Sequence, residues 1–298
     1  RLKTVRRIVL SRHPLQNIYV QPIKFHGLSV LFCYSPHRMK FEPPQGPARG
    51  AAKTVVLYVV AFLVLLIAFI IYVPLCIILL PSRSVRIRLG NVYGKVVGPL
   101  IFGLAGIRPV IHHKERINDN FPAMYVCNHT STADMWLGMW MCPYRGCGVA
   151  KKEIRYLLFF GQAFWLSGHL LLDRGNRKNA MNSMDKVRRV MHKHKLGVWM
   201  WPEGTRSHDG RLRPLKKGFV HLAIAAGIPV VPVVFHNADL HWPSKKFRTV
   251  PGELNIEILE PIDTKDWKPE NAGAHAQTVW QAFQDALGER QKGALLDS

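Results

Sequence analysis

The sequence predicts an α/β fold with a largely parallel central sheet flanked by helices, preceded by an N-terminal membrane helix or helical hairpin. Two observations lead to this prediction. From about residue 121, short apolar runs typical of buried strands alternate with segments of helical periodicity. Ahead of them, residues 54–80 form an apolar run without a charged residue. With 298 residues, 48% of them hydrophobic, the chain is long enough to bury one full core beside this anchor.

Residues 1–53 form a basic N-terminal segment with ten Lys or Arg and one acidic residue. They show neither sustained periodicity nor a recognisable motif, and they end in a Pro/Gly-rich stretch between Glu42 and Pro47. We therefore predict that most of this segment is disordered.

The apolar run 54–80 has 27 residues, more than the roughly 20 that a membrane-spanning helix needs. A secretory signal peptide would have a shorter apolar core and a cleavage site of small residues, which Pro81-Ser82-Arg83 does not provide. We therefore interpret residues 54–107 as a retained anchor, with a second, weakly amphipathic helix from Val85 to Ile107.

Two arrangements of this anchor stay open on the sequence alone. The first helix could span the bilayer, or the two helices could form a hairpin in one leaflet, with Pro74 as a kink. The cations that flank the run do not choose an orientation, because four lie on each side. These are Arg38, Lys40, Arg49 and Lys53 before it, and Arg83, Arg86, Arg88 and Lys95 after it.

Residues 108–298 are predicted to form the catalytic domain, in which strands and helices alternate. The predicted strands are 123–127, 148–151, 170–172, 198–201, 230–235 and 254–259. The predicted helices are 133–141, 178–194, 216–226, closed by Gly227, and 274–287. Because Pro229 and Pro232 each lack a backbone N–H, strand 230–235 is expected to be peripheral or irregular.

The formal net charge of +22 is unevenly distributed: +9 in residues 1–53, +16 in 81–217 and −3 in 218–298. This excess lies beside the apolar run, which favours an anionic membrane surface over nucleic acid as the partner. The five cysteines are odd in number and one lies in the apolar run, so that no disulfide framework is expected. A reducing environment, with the catalytic domain facing the cytoplasm, follows from this pattern.

The first motif, Asn128-His129-Thr130-Ser131-Thr132-Ala133-Asp134, lies between a predicted strand and a predicted helix. Parallel α/β proteins expose functional groups at this edge of the sheet. A neutral imidazole can take a proton from a hydroxyl, and Asp134 can fix its tautomer. Backbone N–H groups at the start of the helix could stabilise an oxyanion. Alone, the pair could also be a buried histidine and a solvated aspartate.

The second motif, Trp201-Pro202-Glu203-Gly204-Thr205-Arg206-Ser207, follows the predicted strand 198–201. It therefore lies at the same edge of the sheet as His129. The guanidinium of Arg206 can meet a phosphate with its planar fork, and Glu203 can hold a hydroxyl or Arg206 itself. A simple turn and cap cluster is the alternative reading.

Two further blocks accompany these motifs: residues 168–174 (GHLLLDR) between them and residues 228–233 (IPVVPV) after them. The four blocks, in this order, resemble the 1-acylglycerol-3-phosphate O-acyltransferase family of glycerolipid acyltransferases over roughly residues 85–260. The sequence departs from the family pattern at Leu171 and Trp201, where Phe is frequent. Both are apolar replacements, which leave the chemistry intact and bear on acceptor or chain-length preference.

The resemblance implies acyl transfer from acyl-CoA or acyl carrier protein to lysophosphatidic acid, giving phosphatidic acid. It implies His129 as general base and Asp134 as its orienting partner. The residues implied in acceptor binding are Arg174, Glu203, Gly204 and Arg206, with Thr205 in the same loop. Because a thioester is already activated, we expect neither a metal nor a redox cofactor. Membrane lipids are the expected partners.

Other functions remain possible on the sequence. The acceptor could be glycerol 3-phosphate or another lysophospholipid, since no residue pattern separates these. The chain could also be a non-catalytic basic membrane protein that binds lipid, against which the combination of His129, Asp134, Glu203 and Arg206 argues. A serine hydrolase is disfavoured because the sequence has no Gly-x-Ser-x-Gly motif.

Overall fold

The structure is a computed structural model that describes residues 19–25, 28–34, 39–173, 177–244 and 246–294. It divides into two compact units, Arg1–Met39 and Lys40–Ser298. In the first unit, β1 (Tyr19–Phe25) pairs with β2 (Leu28–Tyr34) in an antiparallel hairpin. Both strands are rich in aromatic and β-branched residues, which favour extended backbone.

Residues 40–50 belong to the second unit and pack against its later residues, which differs from the disorder predicted for most of residues 1–53. The ring of Phe41 lies between those of His112 and His236, with centroid distances of 4.9 and 4.4 Å. The N–H of Arg49 donates to the carbonyl of Thr249 over 2.9 Å. The prediction overlooked this segment because its contacts are made with residues far along the chain.

The predicted anchor is a pair of helices, α1 (Ala51–Ile78) and α2 (Arg83–Ala105), joined by residues 79–82. By length and composition α1 could cross a membrane, and most of its side chains are exposed. It packs against α2 through buried side chains near its C-terminal end, where the rings of Tyr72 and Tyr93 are 4.5 Å apart. The two helices therefore form a hairpin.

Helix α1 also contacts the α/β domain at two places along its length. Near its start, the hydroxyl of Tyr58 donates to the carbonyl of Phe247 over 2.9 Å and accepts from the indole N–H of Trp242 over 3.3 Å. Further along, the ring of Phe69 lies 5.3 Å from that of Phe159. The helix therefore lies along the domain rather than projecting from it.

The central sheet has seven strands in the order β3-β9-β8-β4-β7-β5-β6. Every neighbouring pair is parallel except β8 and β9. The α/β prediction with a largely parallel sheet is thus confirmed. The strands are β3 (Ile107–His112), β4 (Met124–Cys127), β5 (Gly146–Lys151), β6 (Leu170–Leu172), β7 (Gly197–Met200), β8 (Val230–Phe235) and β9 (Gly252–Ile258).

Helices cover both faces of this sheet. Helices α6 (Arg177–His194), α7 (Gly218–Ala226) and α9 (Ala272–Ala286) contribute to the core on one face, whereas α2 and α4 (Ala133–Met141) contribute to the core on the other. Helix α2 approaches α4 so closely that a Cβ at Gly94 would lie 2.1 Å from the carbonyl oxygen of Met139. The remaining helices are short: α3 (Glu115–Asp119), α5 (Phe160–Leu166) and α8 (Ala238–His241).

Strand β8 corrects the prediction drawn from its prolines. It lies inside the sheet, between β4 and β9, and all its residues are buried. The hydrogen-bonded ladder between β8 and β9 pairs only Val233–Phe235 with residues 256–258. Pro232, which has no N–H to donate, lies just beyond the end of this ladder and is therefore tolerated. The carbonyl of Pro232 still accepts from the N–H of Leu259 over 3.0 Å.

Candidate active site

The first motif begins where β4 ends, and Asn128 extends the sheet by side-chain hydrogen bonds. Its amide donates to the carbonyl of Phe235 over 3.0 Å, and its amide oxygen accepts from the N–H of Phe235 over 2.7 Å. Asn128 is buried, and its side-chain amide makes the two hydrogen bonds with Phe235 that a backbone peptide group of β4 would otherwise make with β8. This fixes the backbone immediately before His129.

His129 and Asp134 are in direct contact, as predicted. The Nδ1 atom of His129 lies 2.8 Å from Oδ2 of Asp134, and the same oxygen accepts from the N–H groups of Thr130 (2.7 Å) and Ser131 (2.8 Å). Because Oδ2 is an acceptor in these bonds, Nδ1 carries the proton, and the lone pair is left on Nε2. Asp134 is fully buried, whereas the imidazole is 20% exposed and faces the cavity described below. His129 is therefore oriented as a base.

The N–H groups at the start of α4 do not form the oxyanion site predicted from the sequence. Those of Thr130 and Ser131 donate to Asp134. The N–H of Thr132 donates to the carbonyl of Trp242 over 3.1 Å, and that of Ala133 donates to the hydroxyl of Ser131 over 3.0 Å. These four groups are engaged within the protein, so the oxyanion prediction is wrong for this arrangement.

The carboxylate of Glu203 faces the backbone rather than a substrate. One oxygen accepts from the N–H of His129 over 2.6 Å, and the other accepts from the N–H of Arg213 over 3.0 Å. Burial raises the pKa of Glu203 to about 8, although both N–H groups act in the opposite direction. The structure thus corrects the expectation that Glu203 holds a hydroxyl or Arg206: it ties the backbone of the base to the loop after the second motif.

The rest of the second motif lies beside the first, as the sheet order requires. Gly204 adopts a positive φ of 80°, and the N–H of Ser207 donates to the carbonyl of His129 over 2.8 Å. The exposed guanidinium of Arg206 lies 3.4 Å from the hydroxyl of Thr132. Gly204, Thr205 and Arg206 all line the cavity that His129 faces. Arg174 lies outside the described residues, and its acceptor contact stays a prediction.

A cavity of about 600 Å³ extends from the two motifs into the space enclosed by α2, α4, α5 and β5. Its walls are mostly apolar and include Met135, Met139 and Phe164. The ring of Trp201 lies 5.1 Å from the imidazole of His129. A Cβ at position 138 would come within 2.5 Å of that indole, so glycine is needed there for Trp201 to fit.

Sequence reasoning missed two side chains that line this cavity. Arg213 is exposed, and its backbone is fixed by Glu203; the only sequence signal for it is a cation near the second motif. His169 accepts from the N–H of Gly148 through Nδ1 over 3.2 Å. Desolvation by the surrounding protein, with the nearby charge of Arg83, lowers the pKa of His169 to about 4, so its ring is neutral at pH 7.

Known proteins resemble this chain both in sequence and in fold. A family model described as Acyltransferase matches residues 108–236. The 1-acyl-sn-glycerol-3-phosphate acyltransferase of Limnanthes douglasii is 37% identical over 233 residues, which cover 78% of this chain and 82% of the relative. The chain belongs to this acyltransferase family. The resemblance drawn from the four blocks is thus confirmed.

Two further matches come from bacteria, one in sequence and one in fold. The enzyme of the same name from Haemophilus influenzae is 37% identical over 149 residues, covering 50% of this chain and 61% of that protein. The crystal structure of the 1-acyl-sn-glycerophosphate acyltransferase PlsC from Thermotoga maritima aligns with a TM-score of 0.64 at 22% identity. It covers 78% of this chain and 92% of that one, and it shares the fold.

In this acyltransferase, the segment around Gln291 lies outside the range that the family model matches. It stabilises the loop that follows the second motif. The carbonyl of Gln291 accepts from the N–H of Leu212 over 2.8 Å, and its side-chain oxygen accepts from the N–H of Asn237 over 2.8 Å. The neighbouring Arg290 binds both carboxylate oxygens of Asp239, at 2.7 and 2.8 Å. Gln291 is only 2% exposed, so it is a buried support behind the loop of Arg213.

Among the described residues, no group of three or more His, Cys, Asp or Glu side chains is arranged to hold a metal ion. Cys76, Cys127, Cys142 and Cys147 are buried as free thiols. Burial raises the pKa of the Cys142 and Cys127 thiols. These cysteines are therefore structural side chains of the core and are poor nucleophiles.

Proposed function

We propose that this acyltransferase transfers a fatty acyl group from acyl-CoA or acyl carrier protein to the free hydroxyl of 1-acylglycerol 3-phosphate, giving phosphatidic acid. One observation carries this proposal: the His129–Asp134 pair faces a largely apolar cavity beside two guanidinium groups. Such a site suits an acceptor that has a hydroxyl, a phosphate and an acyl chain. The names of the plant and bacterial relatives support the same acceptor.

The reaction needs a base, alignment and a proton donor, and His129 can serve as both base and donor. Its Nε2 takes the proton of the acceptor hydroxyl as the oxygen attacks the thioester carbonyl. The new C–O bond forms, the tetrahedral intermediate collapses, and the C–S bond breaks. The imidazolium then returns the proton to the departing thiolate. Asp134 holds Nδ1–H throughout and stabilises the imidazolium.

Arg206 and Arg213 are the proposed contacts of the acceptor phosphate. Both line the cavity with His129, and both are exposed enough to meet a ligand. A planar guanidinium binds two phosphate oxygens at once, which orients the acceptor as well as holding it. Arg174 remains a further proposed contact. The apolar remainder of the cavity is the proposed site of an acyl chain.

The helical hairpin is proposed to lie in one leaflet, with the catalytic domain on the cytoplasmic side. Helix α1 contacts the α/β domain through Tyr58 at one end and Phe69 further along. A helix that crossed the bilayer could not lie along a water-soluble domain over this length. The free, buried thiols agree with a reducing cytoplasm.

An acyl-transfer assay on purified protein in detergent tests the function. Lysophosphatidic acid, glycerol 3-phosphate and lysophosphatidylcholine would be offered as acceptors, each with acyl-CoA and acyl carrier protein donors. We expect phosphatidic acid from lysophosphatidic acid, and no product from the matched His129→Ala protein. Faster turnover of either other acceptor would replace the proposed substrate. Absence of transfer to all three would overturn the enzymatic proposal.

A further inference from the structure

A second apolar surface lies outside the helical hairpin, in the segment Tyr156–Phe159 that precedes α5. Tyr156, Leu157 and Leu158 are 69%, 49% and 71% exposed. Three consecutive large apolar side chains with this exposure are unfavourable in water and typical of a surface that contacts another apolar phase. Within the described part of the chain, the other large apolar side chains this exposed lie mainly on α1 and α2.

Phe159 joins this segment to the exposed helix. Its ring lies 5.4 Å from that of Phe62 and 5.3 Å from that of Phe69, both on α1. Its backbone has a positive φ of 61°, an uncommon conformation for a large side chain, which turns the chain sharply at this point. The exposed apolar surface of α1 therefore continues into Tyr156–Phe159.

Cations border this surface. The guanidinium of Arg155 lies 4.6 Å from the ring centroid of Tyr156, and Lys151 is exposed nearby in sequence. Aromatic and cationic side chains at the edge of an apolar patch are typical of proteins that dip into a bilayer, because rings occupy the headgroup region and cations meet lipid phosphates. The charge pattern thus fits an anionic phospholipid surface.

The same segment is also part of the cavity wall. Ile154, Leu157 and Phe160 line the cavity that contains His129. Leu158, between two of them, points to the outside and is 71% exposed. One short segment therefore separates the interior of the cavity from the surface next to α1.

We propose that Tyr156–Phe159 inserts into the same leaflet as α1 and forms the entrance through which the acyl chain of the lipid acceptor moves from the bilayer into the cavity. This inference rests on the proposed function and on the proposed position of α1. It gives the acceptor a route in which its chain never crosses water. A direct apolar route avoids exposing each CH₂ group of the chain to water, which is unfavourable.

Fluorescence labelling in vesicles tests the insertion. In the 298-residue protein carrying Cys33→Ser, one cysteine at a time would be introduced at Leu158, at Ile67 on α1, or at Gln277, which is exposed on α9. Each would be labelled with bimane on vesicles of phosphatidylcholine and phosphatidylglycerol with chain-brominated lipid. We expect quenching at 158 and 67 and none at 277. Quenching at 67 without quenching at 158 would overturn the proposed insertion of Tyr156–Phe159 but leave the proposed position of α1 standing. No quenching at either position would reject both proposals.

Activity gives an independent test. Leu158→Asp should lower the rate on lysophosphatidic acid in vesicles by about tenfold, because a carboxylate resists entry into the bilayer. In detergent with a short-chain, water-soluble lysophosphatidic acid the rate should stay unchanged, and Gln277→Asp should behave as wild type in both assays. Equal rates for Leu158→Asp and wild type on vesicles would contradict the inference. Loss of activity in both assays would also contradict it, because Leu158→Asp would then impair catalysis itself and not only the entry of the acceptor from the bilayer.

Discussion

The two ends of the cavity are built by different physical means. Around His129, hydrogen bonds fix the backbone: Asp134, Glu203 and the loop around Ser207 each contact the base or its neighbours. Near α1 and Tyr156–Phe159, the walls are aromatic and aliphatic and the contacts are mostly ring packing. The chemical end is therefore fixed by directional hydrogen bonds, whereas the apolar end is shaped by non-directional packing.

Loss of the base should give the largest effect. His129→Ala should lower turnover by about 10²–10⁴-fold, because an activated thioester supplies no substitute for the general base. Asp134→Asn should also be severe, since an amide can donate to Nδ1 and favour the wrong tautomer. Turnover measured in detergent at matched expression and thermal stability checks this. Near-normal turnover of a folded His129→Ala protein would show that His129 is not the general base.

A change in phosphate recognition should be smaller and confined to the acceptor. Arg206→Lys should raise the acceptor KM by about tenfold and leave the donor KM nearly unchanged, because a point charge cannot reproduce the planar fork. Arg188→Lys on α6 is the matched control, since Arg188 pairs with Asp185 on the surface. If Arg206→Lys weakens only the thioester donor, this loop binds the donor and the acceptor assignment is wrong.

Substitution of Gln291, which lies behind the loop of Arg213, should have a milder effect on acceptor binding. Gln291→Ala keeps the backbone carbonyl that holds Leu212 but removes the side-chain bonds to Asn237 and Phe235, so this carbonyl should be held less firmly. The loop of Arg213 should loosen with it and raise the acceptor KM by up to about tenfold, with little change in kcat. Gln291→Glu keeps an acceptor and should recover much of the loss. Thr264→Ala, which removes a buried bond to Ile228 far from the motifs, controls for stability. An unchanged KM alongside a lowered melting temperature would make Gln291 purely structural.

The smallest effect on turnover should come with a pH dependence of stability from Glu203. Burial raises the pKa of Glu203 in the folded state to about 8, above its ordinary value of 4.5, so the native state binds the proton more tightly. Stability from this group is therefore fully present below about pH 4.5 and declines as the pH rises to about 8. Melting temperatures of wild type and Glu203→Gln across this range test it. Parallel profiles for the two proteins would show that Glu203 titrates normally.

Local sequence patterns predicted the central part of the molecule well. Strands β6 and β8 and helix α4 have the predicted bounds, because each is a strongly apolar run with clear ends. The approach of Arg206 to His129 was also predictable, since both follow parallel strands. The short helices α5 and α8 were missed because they have too few residues to show a helical period.

Features that depend on distant partners could not be read from local patterns. Strand β3 pairs with β9, whose residues come far later in the chain. The role of Glu203 depends on where two backbone N–H groups converge, and the engaged N–H groups of α4 depend partly on Trp242. Gln291 lies outside the matched family range and has no motif of its own. These contacts exist only once the sheet has formed.

The support by Gln291 also sets an order of events during synthesis. A ribosome delivers α1 and both motifs long before it delivers the segment around Gln291. An unfinished chain therefore has its base and its guanidinium groups before it has the hydrogen bonds that hold Leu212 and Asn237 in place. The loop of Arg213 gains its full support only when this late segment has been made.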